Sequence, residues 1–313
     1  MLKNKNVVAI GVFDGVHLGH KKILETAVKI ARQNHTKAIA LTFYPHPLMV
    51  VAGSGGTSLR GAPKNTPLSL ISLRHRINLI KSFGIGKCVV FNFTKGFARS
   101  RPDVFIKDIL LKKMKAGWIV VGEDFCFGRR RSGNIKLLVK KGKELGFKVK
   151  QVGILKHRGI PISSSLIRQA ISSGKLGFAK KILGRPVAVL GTVVEGRRIG
   201  RKLGFPTANI NPHHEVVPPS GVYAVKVNID KSCYNGILNI GIRPTFYGLA
   251  LQDKEPIIEA YIFDFNKSIY GKDVEVVFIK KIRSEKKFRT EKTLIARIEK
   301  DIKQARGILC NAM

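Results

Sequence analysis

At 313 residues, 44% of them hydrophobic and 25% charged, the chain is long enough for two domains with their own cores and has an ordinary globular composition. No apolar run approaches the ~20 residues of a membrane helix, and the short run after the N-terminal lysines ends at Asp14, which reads as a strand rather than a signal peptide. The net charge of +37 is uneven, with 36 Lys+Arg against 7 Asp+Glu in residues 1–186 and 21 against 13 in 187–313, a balance that suits a nucleic-acid surface, long-range steering of nucleotides and other anions, or a plain compositional bias.

Val7–Ile10 reads as a buried strand, and Gly11 and Gly15 permit a tight turn after it. Apolar residues at Ile23, Leu24, Ala27, Val28 and Ala31 then follow at helical spacing. His17 and His20 therefore fall at a strand-to-helix turn, where free N–H groups and the helix dipole favour a phosphate. Spaced H-x-G-H, two imidazoles can serve one polyphosphate, and Gly19 keeps side-chain bulk away from it. Lys37–Phe43 is a second strand, ending in the rigid Tyr44-Pro45-His46-Pro47 turn. Residues 53–67 are rich in Gly, Ser, Thr and Pro and read as a lid-length loop. Leu70–Phe83 is helical, Lys87–Phe93 a strand, Pro102 to about Met114 a helix, Trp118–Val121 a strand and Ile135–Leu145 a helix. This alternation predicts a parallel sheet covered by helices on both faces. The four cysteines (Cys88, Cys126, Cys233, Cys310) form no CxxC, so neither a zinc site nor a disulfide framework is indicated, and a reducing cytoplasm is the expected home.

With so few acids in the first half, Asp14 and Asp124 stand out. Asp124 follows the Trp118–Val121 strand in Gly122-Glu123-Asp124-Phe125-Cys126-Phe127-Gly128, at the edge where such sheets collect chemistry. It suits an exocyclic amine or a ribose hydroxyl, and the two phenylalanines suit either a flat ring or the core. Arg129–Arg131 reads as a solvated run before an anion clamp. Ser163, Ser164 and Ser165 precede a helical stretch and suit an N-terminal cap, with Arg168 one turn in as a planar cation for phosphate.

A helix at about 177–183 ends in Gly184-Arg185-Pro186. Beyond it short β-rich runs at 187–194, 221–229, 233–240, 257–265 and 274–282 predict an antiparallel barrel or sandwich, closed by a helix from about Thr290 to Ala305. The segment 196–209, GRRIGRKLGFPTAN, is basic and glycine-rich without the GK[ST] of a Walker loop. Thr207 and Asn209 project to one side of an extended segment, and both carry oxygen suited to magnesium.

The stretch GVFDGVHLGH resembles the HxGH signature of the nucleotidyltransferase superfamily, and more narrowly the FMN adenylyltransferase module of prokaryotic FAD synthetases. ISSSLIR resembles the ISSTxIR motif that accompanies it, with Ser165 where threonine is usual. GRKLGFPTANI, PPSGVYAV, NIGIRPTF, EAYIFDF and IRSEKKF, in this order, are similar to riboflavin kinase. The resemblance implies an α/β chain: a Rossmann-like nucleotidyltransferase domain at 1–185 and a riboflavin kinase-like barrel with a terminal helix at 186–313. It implies His17 and His20 as catalytic in adenylyl transfer, and Gly11, Phe13, Asp14, Gly15, Ser164 and Arg168 around ATP. In the second module it implies Gly200, Lys202 and Gly204 on phosphate, Thr207 and Asn209 around Mg2+ and ATP, and Glu259 as the base. Asp124, Arg283 and Phe288 are implied on the flavin side. The expected partners are ATP, riboflavin and FMN, with no membrane and no nucleic acid: a nucleic-acid binder would interleave aromatics with its basic residues. An adenylyltransferase for another phosphate-bearing substrate, such as phosphopantetheine, is the competing reading.

Overall fold

The computed structural model describes residues 5–51, 69–196, 199–213, 215–242 and 256–311. Two compact units emerge, Met1–Ser164 and Ser165–Met313. The expected loop at 53–67 lies outside the described residues, as do Arg197 and Arg198 of the basic segment and residues 243–246 of NIGIRPTF.

The first unit runs β1 (Asn6–Ile10), α1 (Leu18–Gln33), β2 (Ala38–Tyr44), α2 (Pro47–Val51), α3 (Leu73–Ser82), β3 (Lys87–Asn92), α4 (Lys95–Ala98), α5 (Pro102–Val104, continued by a π-helix over Phe105–Lys113), β4 (Ala116–Gly122), α6 (Ile135–Leu145), β5 (Lys148–Val152) and the small hairpin β6 (Lys156–His157) and β7 (Ile160–Pro161). The main sheet is parallel, in the order β3-β2-β1-β4-β5. Successive residues of β1 feed opposite cores: Val7 and Ala9 pack with Leu24, Ala27 and Ile80 on one face, Val8 and Ile10 with Ile106, Leu110 and Leu138 on the other. A strand buried on both faces has no polar face to show, which is why it reads as an unbroken apolar run. Each such Val or Leu contributes about 1.5–3 kcal/mol on burial.

Two expected helices differ in detail. The one read from Leu70 starts at Leu73, because Ser72 caps it by accepting the His75 N–H, and Leu70 and Ile71 are buried ahead of it. The one read from Pro102 widens to i→i+5 turns after Val104. That spacing brings residues five apart onto one face, and Phe105 and Leu110 are both buried.

α7 (Ser164–Ser172) begins on the last residue of the first unit, and α8 (Leu176–Leu183) follows in the second. Then come β8 (Ala188–Val194), α9 (Ile199–Lys202), β9 (Ala208–Asn211), β10 (Gly221–Ile229), β11 (Ser232–Ile242), β12 (Pro256–Ile262), β13 (Asp273–Arg283) and α10 (Glu291–Cys310). The strands close an antiparallel barrel in the order β10-β11-β12-β9-β8-β13. Tyr223, Leu238, Ile258, Ala260 and Val276 are buried, while Val222, Ala224, Ile237 and Phe263 pack with Ala305 and Leu309 of α10. Asp301, also buried, ties that helix to β13 through Arg283 at 2.7 Å, and Arg297, one turn earlier on the same helix, closes on its other oxygen at 2.9 Å. Among the described residues no helix is long and apolar enough to cross a membrane.

Candidate functional site

In the first unit β1 lies between β2 and β4, so the chain reverses its direction of winding at the β1/β4 boundary. Parallel sheets bind ligands outside the carboxyl ends of the strands at such a switch point. The turn carrying both histidines leaves β1 there, and Asp124 stands exposed just beyond β4.

His17 is the N-cap of α1: its Nδ1 accepts the His20 N–H at 3.4 Å, which leaves the ring proton on Nε2. The two imidazoles stack with centroids 3.7 Å apart and planes 18° from parallel. A Cβ at Gly19 would come within 3.1 Å of the His17 ring, so the glycine also leaves that ring its room.

The rest of the turn is braced from within. Phe13 is fully buried with φ 52°, and its ring meets His20 edge-on at 5.4 Å. A Cβ at Gly11 would strike that ring at 2.9 Å, and Gly15, at φ 80°, faces Leu70 at 2.6 Å. Asp14 is 1% exposed, and its Oδ1 accepts the Leu70 N–H at 2.9 Å. Ser164 donates its hydroxyl to the Asp14 carbonyl at 2.9 Å, tying it to the histidine turn. Arg168 is half-buried one turn along α7, within the second unit. Phe127 is buried in the core against Phe105 and Phe125, which answers the open choice between ring support and packing in favour of packing. Arg129–Arg131 form an exposed single turn.

Sequence reasoning missed Arg76. It is 1% exposed on α3, and its Nη1 donates to the Val12 carbonyl at 3.0 Å and the Phe43 carbonyl at 3.3 Å. Burial pushes its pKa below the ordinary arginine value, and the Asp14 carboxylate partly offsets that. The signal was present: Arg76 shares a helical stripe with Leu79, Ile80 and Phe83, where a cation is out of place.

In the second unit Asn209 on β9, Glu259 on β12 and Asn239 on β11 are direct cross-strand neighbours in one row. Direct partners share a face. Ile258 and Ala260 on either side of Glu259 are buried, so Glu259 lies on the other face, with Tyr261, which packs toward α10. Thr207 precedes β9 beside Gly200: a Cβ at Gly200 would lie 3.0 Å from the Thr207 hydroxyl and collide with the Phe205 carbonyl. A Cβ at Gly196 would collide with the Asn209 amide. Phe205 rests edge-on against Tyr261 at 5.9 Å, docking this segment on the barrel, and Gly204 allows the turn at φ 88°. The hydroxyl and amide oxygens of Thr207 and Asn209 suit a hard divalent cation that takes its other ligands from phosphate and water, and the two glycines keep the space they occupy. Among the described residues no cluster of three His, Cys, Asp or Glu could hold a metal, so a cation here would rest on these neutral oxygens.

Lys202 and Phe288 meet on one cavity of about 480 Å³, with Thr290 and Leu294 of the α10 start on its wall. Arg283 lies over the Phe288 ring at 5.7 Å, but its Nε is engaged with Asp301.

The family pattern of FAD synthetase matches residues 1–166, and that of riboflavin kinase matches residues 183–309. A bifunctional riboflavin kinase/FMN adenylyltransferase of Buchnera aphidicola (Schizaphis graminum) is 37% identical over 303 residues, 96% of this chain and 93% of that protein. The Bacillus subtilis protein of the same name is 37% identical over 304 residues, 96% and 92% of the two chains. A solved Streptococcus pneumoniae structure described as a macrolide-efflux protein superposes with a TM-score of 0.80 at 30% identity, over 97% of this chain and 94% of that one.

Proposed function

The chain belongs to the bifunctional riboflavin kinase/FMN adenylyltransferase family, and from that footing we propose which residues carry each of its two reactions. The enzyme phosphorylates riboflavin to FMN with ATP and then adenylylates FMN to FAD, releasing pyrophosphate. Residues 1–185 perform the second reaction and 186–313 the first, in the cytoplasm.

In adenylyl transfer the FMN phosphate attacks the α-phosphate of ATP and the bond to pyrophosphate breaks. The nucleophile is already anionic, so the protein needs alignment and charge stabilisation rather than a base. His17 and His20 supply that at the start of α1, with the backbone of Gly11, Phe13 and Gly15 as the floor. Asp14 braces that floor, and Ser164, whose hydroxyl proton goes to the Asp14 carbonyl, offers its backbone N–H to the phosphates. Asp124 takes a nucleotide or flavin edge. The observation that carries this assignment is the stacked histidine pair capping the helix that follows the central strand.

In the kinase reaction the ribityl 5′-hydroxyl of riboflavin attacks the γ-phosphate of ATP, and the bond to the β-phosphate breaks to release ADP. Glu259 takes or orients the hydroxyl proton. Its place beside Asn209 supports this, because the base and the phosphate-side oxygen ligands then share one surface. Thr207 and Asn209 would hold Mg2+, which when bound neutralises charge on the triphosphate. Gly200, Lys202 and Gly204 line the phosphate side, while Phe288 and Arg283 frame the flavin. The basic balance of the chain serves these anionic substrates rather than a nucleic acid.

His17→Ala tests the division of labour. FAD formation from FMN and ATP is expected to fall by ~10²-fold or more, the scale for one lost charge-stabilising donor, with FMN formation from riboflavin retained. Loss of both activities in a folded variant overturns the assignment.

A further inference from the structure

The buried guanidinium under the histidine turn has no part in the reading so far. A methionine would fill the same space without the cost of desolvating a cation, so packing alone does not account for an arginine at position 76. Its Nη1 reaches two carbonyls that belong to different strands, Val12 just after β1 and Phe43 at the end of β2. The Val12 carbonyl also accepts from the buried Thr42 hydroxyl at 2.9 Å. Phe13, the next residue, enters the left-handed region at φ 52°, and Val16, just before His17, does so again at φ 39°. A turn bent twice in this way holds its shape only when its surroundings over-determine it. Nearby Asp14 fastens the far side of the turn to Leu70.

We propose that Arg76 is a positioning residue for adenylyl transfer: by clamping the Val12 and Phe43 carbonyls from beneath, it fixes the turn that aims His17 at the reacting phosphates. It touches neither substrate. The inference rests on the assignment of His17 to the phosphates.

The full-length Arg76→Met and Arg76→Lys variants, with Thr42→Val and His17→Ala, test it with ATP and FMN. Riboflavin phosphorylation by the same chains is the internal control. In Arg76→Met, kcat for FAD formation is expected to fall ~10²-fold, the scale of a misplacement of about 1 Å. KM for ATP and the kinase rate stay near wild type. Arg76→Lys, which keeps a cationic donor, recovers at least about tenfold of that kcat, and Thr42→Val shows a smaller loss, also in kcat. Wild-type kcat in Arg76→Met overturns the proposal, as does a loss confined to KM or an equal defect in Arg76→Lys. If Arg76→Met does not fold, wild-type kcat in Thr42→Val overturns it instead. Should His17→Ala also make FAD normally, the reading of the turn falls and this inference with it. Should only His17→Ala fail to make FAD, the inference alone falls.

Discussion

Glu259 is an ordinary glutamate in sequence, and only its neighbours give it meaning. Asn209 and Asn239 flank it in register across two strand pairs, so its carboxylate sits in a polar row on a face otherwise occupied by Tyr261. Glu259→Ala is expected to lower FMN formation by ~10²-fold or more while FAD is still made from supplied FMN, which a two-substrate assay reads directly. Tyr223 gives a residue-scale prediction in pH. Its hydroxyl donates to the Pro219 carbonyl, and burial raises its pKa to about 12. The folded value lies above the unfolded value of ~10, so its contribution is fully present below pH ~10 and is lost as pH climbs toward 12. Burial also lowers Arg185 to about 10, which bends stability the other way over the same range. Denaturation should therefore be read as the difference between wild type and Tyr223→Phe: about 1 kcal/mol in favour of wild type at neutral pH, shrinking above pH ~10. A difference that holds steady to pH ~12 would remove the argument.

Elements carry the next layer. α10 presents Asp301, Ala305 and Leu309 to the barrel at i, i+4 and i+8, so its one buried acid opens the docking stripe. Arg283 and Arg297 both close on that carboxylate. Asp301→Ala leaves Arg283 and Arg297, both partly exposed, without their shared buried carboxylate and is expected to cost about 3 kcal/mol by urea unfolding, more than an exposed ion pair. Because Phe288 and Thr290 line a cavity at the start of α10, the same variant should raise KM for riboflavin. Most strands and the longer helices were readable in the sequence, since unbroken apolar runs, alternation and helical stripes are local patterns, while the largely exposed β5 and the short β6 and β7 were not. The i→i+5 turns after Val104 were not, because nothing in the local sequence distinguishes them from an α-helix; they follow from which residues the sheet above has room for. β9 was legible only as an extended segment, since its pairing partners lie on β8 and β12.

At the scale of the whole molecule, one chain carries two ATP-dependent reactions on two fold classes and a net charge of +37. Self-repulsion at that charge destabilises the folded state, and salt screens it as the Debye length falls from ~30 Å at 0.01 M to ~8 Å at 0.15 M. The melting temperature is therefore expected to rise over this range, while KM for ATP rises in both reactions because steering weakens; a melting temperature indifferent to salt would refute the first half. Fold class, the two-module order and the histidine, serine, PTAN and EAY motifs were determined by the sequence itself, because each rests on short-range spacing that neighbours in the chain enforce. Tertiary structure alone decided that Ser164 reaches back to the Asp14 carbonyl, that Phe127 belongs to the core, and that a buried Arg76 joins two strand ends. Those are contacts between residues distant along the chain, and only closure of the sheet and barrel sets which of them meet.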